Sequence, residues 1–291
     1  MKRELLKRAM TILKSAVRKD ESRASSNCVA FTGDYIIALN DHVTILKPFP
    51  TQFKGFLNFP KLSSYVSKVK SGEILFKESG GCIIVQTKDT KAKFPLIFDE
   101  FEENIISINL EYIEDCEWKE VPEQFIDSIV FCEFATLKSS DSDSDILKFI
   151  FIKESSCFAS NNVCIARHDI ESGMDGIFIL NKDVSVIQSF DPTEFALNDN
   201  CIFFKNDDDE ILITKRVQSD SPDFDKFFDI SGVKIHFGEE ILNNVDLSEI
   251  FANKSDKCVH IKVKNNTVFI SSGSSSNSFK SKIKLDKRQR I

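Results

Sequence analysis

Tryptophan occurs once and tyrosine three times in the 291 residues, while phenylalanine occurs 27 times. Glycine (10 copies) and proline (7 copies) are too sparse for a collagen-like or low-complexity chain. The eight cysteines, at 28, 82, 116, 132, 157, 164, 201 and 258, form no CxxC pair and no cysteine–histidine cluster with zinc spacing. They read as reduced, mostly buried thiols, and no metal or other cofactor is expected. No run is long enough to span a membrane, and the first 23 residues lack the continuous apolar core of a signal peptide. An intracellular, reducing location follows as an expectation.

Catalytic signatures are also missing. The chain has no G-x-S-x-G, P-loop, G-x-G-x-x-G or H-E-x-x-H. Its four histidines are isolated. Arg167-His168-Asp169 could be a base with its orienter, but neighbours on a strand point to opposite faces, so His168 and Asp169 should diverge. Asp207-Asp208-Asp209 lacks the ligand alternation of a calcium loop and reads as a solvated hairpin turn. The expectation is a protein that is not an enzyme and works by holding partners.

Apolar residues make up 42% of the chain, enough for real cores. The abundance of phenylalanine favours strands packed on something else. The length suits two or three domains. Net charge is −7 with a pI near 5.3, which argues against simple nucleic-acid coating by the whole surface. The charge is uneven: residues 1–23 are basic and the middle of the chain is acidic.

A pattern of one short amphipathic helix followed by short strands recurs about every fifty residues. Helices are expected at 3–18, from Pro60 to about 70, and at 122–134, 182–190 and 239–251. The third has Phe125, Ile126, Ile129, Val130 and Phe134 on its apolar face. Strands are expected at 27–31, 35–39, 42–46, 73–77, 82–87, 91–97, 146–152, 156–160, 163–167, 194–197, 201–205, 210–217, 233–237, 258–263, 268–272 and 279–285. Residues 99–104 read as an acidic linker, 139–145 as an exposed loop, and 286–291 as a polar tail. The fold class is α+β, built from repeated half-domains: 1–104 and 105–229 hold two each, and 230–291 holds one.

On a helical wheel, Leu5, Leu6, Ala9, Met10, Ile12, Leu13, Ala16 and Val17 fill one arc, with Arg3, Lys7, Lys14 and Arg18 in a narrow stripe beside it. Lys61 and Lys68 repeat this on the second helix. Such a stripe is either an ordinary solvated face or a row of contacts to a phosphate backbone. No aromatics interleave with it, so base stacking is disfavoured.

Several segments carry a resemblance. Cys201 to Arg216 is a strand, a tight turn and a strand ending in Arg, followed by Ser221-Pro222-Asp223-Phe224. This looks like a domain end and "F-P-D-Y" linker of the bacterial sliding clamp, the beta subunit of the replicative DNA polymerase. Phe94 to Asp99 echoes the same linker. Cys157-Phe-Ala-Ser-Asn-Asn-Val-Cys-Ile-Ala166 resembles the family's "A-T-D-G-H-R-L-A" strand pair, and Ala38 to Asp41 repeats it faintly. The resemblance implies a DNA clamp fold, sheets outside and helices inside, lining a duplex-sized hole with Arg3, Lys7, Lys14, Arg18, Lys61 and Lys68. It further implies self-association into a ring, with a DNA polymerase and a clamp loader as partners. Their short peptides would dock on Ser160, Asn162, Val163, Cys164 and Ile165 together with Pro222, Lys226 and Phe227. The location implied is the bacterial or host cytoplasm at replication sites.

The chain departs from that pattern. Asn162-Val163-Cys164 replace Gly-His-Arg, the later helices are acidic, and five half-domains stand where the family has six. Divergence of this kind suits a viral origin. The competing reading is a structural or assembly β-protein such as a virion component.

Overall fold

Leu6, Ala9, Met10 and Leu13 recur at helical spacing and are all buried, so the first helix, α1 (Arg3–Leu13), lays that stripe on the core. It stops before the expected residue 18: the Ala16 N–H turns back to the Leu13 carbonyl, and residues 14–17 form a tighter turn that still buries Ala16 and Val17. Arg18 therefore lies beyond the helix. Three short strands follow as an antiparallel meander, β1 (Cys28–Phe31), β2 (Tyr35–Leu39) and β3 (Val43–Pro48).

This computed structural model describes residues 2–19, 25–70, 72–138, 146–171, 173–219, 222–229, 238–252, 258–274 and 277–285. The plan of helix then meander repeats, now with a leading strand. The second round is β4 (Gly55–Asn58), α2 (Phe59–Lys68), β5 (Leu75–Glu78), β6 (Cys82–Gln86) and β7 (Lys91–Pro95). Asn58 caps α2 by accepting from the Lys61 N–H, and Pro60 sits in the first turn, where its missing N–H costs nothing. A helix with no counterpart in the repeat, α3 (Glu100–Glu114), comes next. The third round is β8 (Lys119–Glu120), α4 (Phe125–Glu133), β9 (Phe149–Lys153), β10 (Ser156–Ser160) and β11 (Ile165–Asp169). The fourth is β12 (Ile177–Leu180), α5 (Val184–Phe190), β13 (Glu194–Leu197), β14 (Cys201–Lys205) and β15 (Ile211–Lys215).

Each leading strand leaves its own meander and pairs with the first strand of its neighbour's. β4 pairs with β1, β12 with β9 and β8 with β13; Lys2, ahead of α1, makes a single bridge to Glu73. Consecutive half-units are thereby stitched into pairs. The two pairs meet where β3 joins β15, Val43–Leu46 against Thr214–Ile211, which makes an eight-stranded sheet in the order β4-β1-β2-β3-β15-β14-β13-β8. The β5-β6-β7 and β11-β10-β9-β12 sheets end in β7 and β11, which are edge strands. Alternate residues of the large sheet, such as Val29, Phe31, Ile45, Phe204 and Leu212, pack with α1, α2, α4 and α5 in one continuous core.

The residues between them, including Ala30, Ile37, Leu46, Phe203 and Ile211, point to the other face, where α3 covers them with Ile106, Leu110 and Ile113. Residues 99–104 are thus no linker. The Asp99 carboxylate accepts from the Glu102 N–H, and Glu100, Glu102 and Glu103 occupy the first turn, where the helix dipole favours negative charge. The acidic run is the start of the longest helix among the described residues.

The chain divides into two compact units, Met1–Pro222 and Asp223–Ile291. The second has α6 (Glu239–Glu249) packed on β16 (His260–Lys264), β17 (Thr267–Gly273) and β18 (Ser278–Lys284) through Ile241, Val268, Ile270 and Leu285. The mixed helix-and-meander architecture expected from the sequence is present. Several boundaries differ. Ile146–Lys148 is a 3-10 turn before β9, and β11 begins at Ile165 because Asn162 takes a left-handed turn. Val130 and Phe134, expected on the apolar face of α4, are exposed; Phe125, Ser128, Ile129 and Cys132 are the buried stripe. The expected strand at 233–237, the loop at 139–145 and the tail at 286–291 lie outside the described residues.

Candidate nucleic-acid interface and partner turn

α1 packs beside α2, and α4 beside α5. On the first pair Lys7, Lys14, Lys61 and Lys68 are all exposed. The two arginines expected to share their stripe do something else. The Arg3 guanidinium donates to the Val66 carbonyl (2.9 Å) and the Ser67 carbonyl (3.0 Å), closing the last turn of α2, and it pairs with Glu4 at 2.7 Å. Arg18 donates to the buried Glu102 carboxylate (2.8 Å) and to Asp41 (3.0 Å), tying the turn after α1 to α3 and to the β2–β3 turn. These guanidiniums already have anions or carbonyls to serve, whereas the four lysines reach into solvent.

Beside α2 lies a cleft of about 880 Å³, lined by Pro60, Lys61, Ser64, Tyr65, Lys68 and Val69 on the helix and by Thr87 and Thr90 on the β6–β7 turn. The Tyr65 hydroxyl spans it, bonded to Thr90 Oγ1 at 2.7 Å and to the Val85 carbonyl at 3.2 Å.

α4 presents a different surface. Asp127 is exposed, Glu133 is half-buried, and Phe131 and Phe134 stand out at 49% and 57% exposure with their rings edge-on at 6.0 Å. His168 lies against Phe131 at 5.2 Å, and its Nδ1 bonds to the buried Ser128 hydroxyl at 2.8 Å, which fastens β11 to α4. Arg167 and Asp169 face the other way and pair at 3.0 Å, so His168 and Asp169 do diverge. The Arg167 guanidinium, with the Ser156 hydroxyl, holds the Asp169 carboxyl below the usual carboxylate range. Asp207, Asp208 and Asp209 form the exposed β14–β15 turn, organised by Asn206 Oδ1, which accepts from the Asp208 and Glu210 N–H groups.

Five of the expected partner-peptide residues sit together on the β10–β11 turn. Ser160 ends β10, and its hydroxyl accepts from the Asn162 N–H. Asn162 is left-handed at φ 69°, Val163 at the tip is 93% exposed, and Cys164 and Ile165 are half-buried. The residue that builds the turn, Asn161, was not singled out: its Oδ1 accepts from both the Val163 and Cys164 N–H groups at 3.0 Å. Asn40 makes the same turn between β2 and β3, bonding the His42 and Val43 N–H groups. The shared "A-x-N" was the signal in the sequence. Pro222 ends the first unit. In the second unit, Lys226 and Phe227 lie on the 3-10 turn Asp225–Phe227, with the Lys226 ammonium 5.3 Å over the half-exposed Phe227 ring.

No family model and no curated protein sequence matches this chain. Solved structures do. The DNA polymerase sliding clamp of Bacillus subtilis superposes with a TM-score of 0.78 at 14% identity, covering 98% of this chain and 83% of the clamp. The Helicobacter pylori beta clamp, solved with a DNA ligase peptide, gives 0.76 at 14% identity over 100% of this chain and 85% of its own. A putative DNA polymerase III beta subunit of Eubacterium rectale gives 0.77 at 13% identity over 98% and 83%. At that sequence distance the fold is what is held in common: this chain is built on the fold of the DNA polymerase III beta sliding clamps.

Proposed function

We propose that this protein is a sliding-clamp-like processivity factor that holds or encircles duplex DNA and tethers a polymerase, without catalysing a reaction and without a cofactor. The observation that carries this reading is the clamp fold spanning nearly the whole chain, with Lys7, Lys14, Lys61 and Lys68 all exposed on the paired helices α1 and α2. Lysines on a rigid helical surface meet phosphates as point charges. That gives binding that ignores sequence and weakens steeply with salt. An acidic remainder would repel the duplex elsewhere and keep it at that face. Arg3 and Arg18 serve the same surface indirectly, by fixing α2 and the end of α1.

The proposal includes self-association into a ring, loading onto DNA by a clamp loader, and action at replication sites inside the cell. Within it, 1–104 and 105–229 act as complete clamp domains and 230–291 as a further half. The partner peptide would dock at the β10–β11 turn around Ser160, Asn162, Val163, Cys164 and Ile165 together with Pro222, Lys226 and Phe227. The H. pylori clamp of like fold binds a DNA ligase peptide, which makes a short replication-protein peptide the ligand to try. Exposed Phe131 and Phe134 beside Asp127 favour a protein contact on α4, and they keep open a second reading as a structural or assembly protein. Retention on closed-circular against linear duplex separates the two. A clamp stays on circles and leaves free ends, whereas an assembly protein makes no such distinction.

A further inference from the structure

The three-stranded sheet of the second unit has two unlike faces. Val268 and Ile270 of β17 and Phe279 and Ile283 of β18 pack with Ile241 of α6 in one cluster. The alternate residues point the other way, away from α6. On that face Phe269 stands at the centre, with Lys262 of β16 directly opposite on one side and Lys282 of β18 on the other. In the rows beside it, Lys264 and Lys284 flank Thr267, and Lys280 pairs with Ser271. All five lysines are exposed, and Phe269 is half-buried with the Lys282 ammonium 5.8 Å over its ring. The three strands contain no aspartate or glutamate. In a chain of net charge −7, this small face collects cations that repel one another until an anion covers them.

We infer that this face binds single-stranded nucleic acid, with phosphates on the flanking lysines and a base stacked on Phe269. Residues two apart on a strand stand about 6.7 Å apart, and β16 and β18, on either side of β17, lie about 10 Å apart. The lysines thus make two rows of cations with an aromatic floor between them. A basic track beside an aromatic platform is what sequence-tolerant single-strand binding requires, and a sheet is one of the surfaces that supplies it. A duplex keeps its bases paired and stacked, so it could use the lysines but not the ring. An acidic peptide would likewise meet the charges and leave the ring without a role. An anionic membrane would need apolar side chains to insert, and the exposed Ile261 and Val263 of β16 belong to the opposite face. The β5-β6-β7 sheet provides an internal contrast. There Lys77 and Lys93 flank Ile84, so the charges recur without the aromatic. The inference stands apart from the duplex reading, which concerns helices of the other unit.

The test is fluorescence anisotropy of the full chain with a labelled thymidine oligonucleotide across a salt series, beside a duplex of the same length. A uridine oligonucleotide distinguishes RNA from DNA, and binding of either supports the site. Lys262→Glu with Lys282→Glu should lower single-strand affinity at least about tenfold at low salt, with a log–log salt slope shallower by about 0.7 for each phosphate contact removed. Phe269→Leu keeps the apolar packing and should lower the affinity by about fivefold or more with the slope unchanged, because stacking is not electrostatic. Duplex affinity should stay within about twofold of the parent in both variants, and Lys77→Glu with Lys93→Glu should leave single-strand affinity within about twofold. The substituted lysines are exposed, so circular dichroism should match the parent. A parent that binds neither oligonucleotide at low salt overturns the inference, as does a Phe269→Leu variant that binds like the parent. Equal losses from Lys77→Glu with Lys93→Glu would show bulk charge at work and overturn it too. Retention on anionic lipid vesicles or on oligoglutamate, with no oligonucleotide bound, would give the face to those partners instead.

Discussion

α1 and α4 occupy equivalent places in the repeat, yet only half of each helix is alike. The buried stripe matches position by position, Leu6 with Phe125 and Leu13 with Cys132. The outward half has changed sign and character: Arg8 becomes Asp127, Lys14 becomes Glu133 and Ser15 becomes Phe134, while exposed Lys7 becomes Ile126, which packs on the core. Burial is set by the sheet beneath, which is common to both. The outward half answers to whatever each helix faces, which on our reading is a duplex for α1 and a protein for α4. Fold and function are therefore written on opposite faces of the same two helices.

The comparison can be broken first at the shared stripe. Phe125→Ala should cost about 3–5 kcal/mol, since the ring is wholly buried and stacks on Phe204 at 5.7 Å. Leu6→Ala should cost about 2–5 kcal/mol by the same mechanism, read from urea unfolding midpoints. A cost under about 1 kcal/mol at either would deny that the stripe is structural. Next comes the residue that differs most in role: Arg18→Ala removes the guanidinium that pairs with the buried Glu102 carboxylate at 2.8 Å and should cost about 3 kcal/mol. Leu137, its counterpart after α4, holds no such charge, so Leu137→Ala should cost less than Arg18→Ala.

A smaller effect separates the two helices by pH. Burial pushes the Cys132 thiol up to about 12 and the neighbouring Cys157 thiol higher still, while α1 has Leu13 at the matching place. A thiol harder to ionise when folded stabilises the fold fully below the ordinary value of 9.0, and that contribution is lost as pH rises towards 12. Stability should therefore fall over that range, and Cys132→Val should flatten the fall. An unchanged slope would show that the thiol is not the titrating group.

Much of this was legible in the residues themselves. The break expected between 31 and 35 separates β1 from β2, and the 3.6-residue period found the buried stripe of α1 apart from Leu5, which is exposed. What escaped depended on distant partners. Arg18 belongs to a helical stripe in sequence, but its carboxylates lie 23 and 84 residues away. Residues 99–104 looked like solvent-loving linker because glutamates at a helix start serve the dipole, and only the apolar outer face of the large sheet calls that helix into place. Val130 and Phe134 looked like core because periodicity cannot distinguish a side chain packed on its own sheet from one awaiting another surface.

The central claim is that the lysine face of α1 and α2 holds duplex DNA. The most direct test compares the parent with the variant Lys7→Glu, Lys14→Glu, Lys61→Glu and Lys68→Glu, measuring duplex affinity across a salt series. The account predicts that log affinity of the parent falls steeply with log salt. It predicts that the variant, with its fold intact, loses at least tenfold in affinity at low salt, with a slope shallower by about 0.9 for each phosphate contact removed. A variant that binds duplex as tightly as the parent, with the same slope, would contradict it.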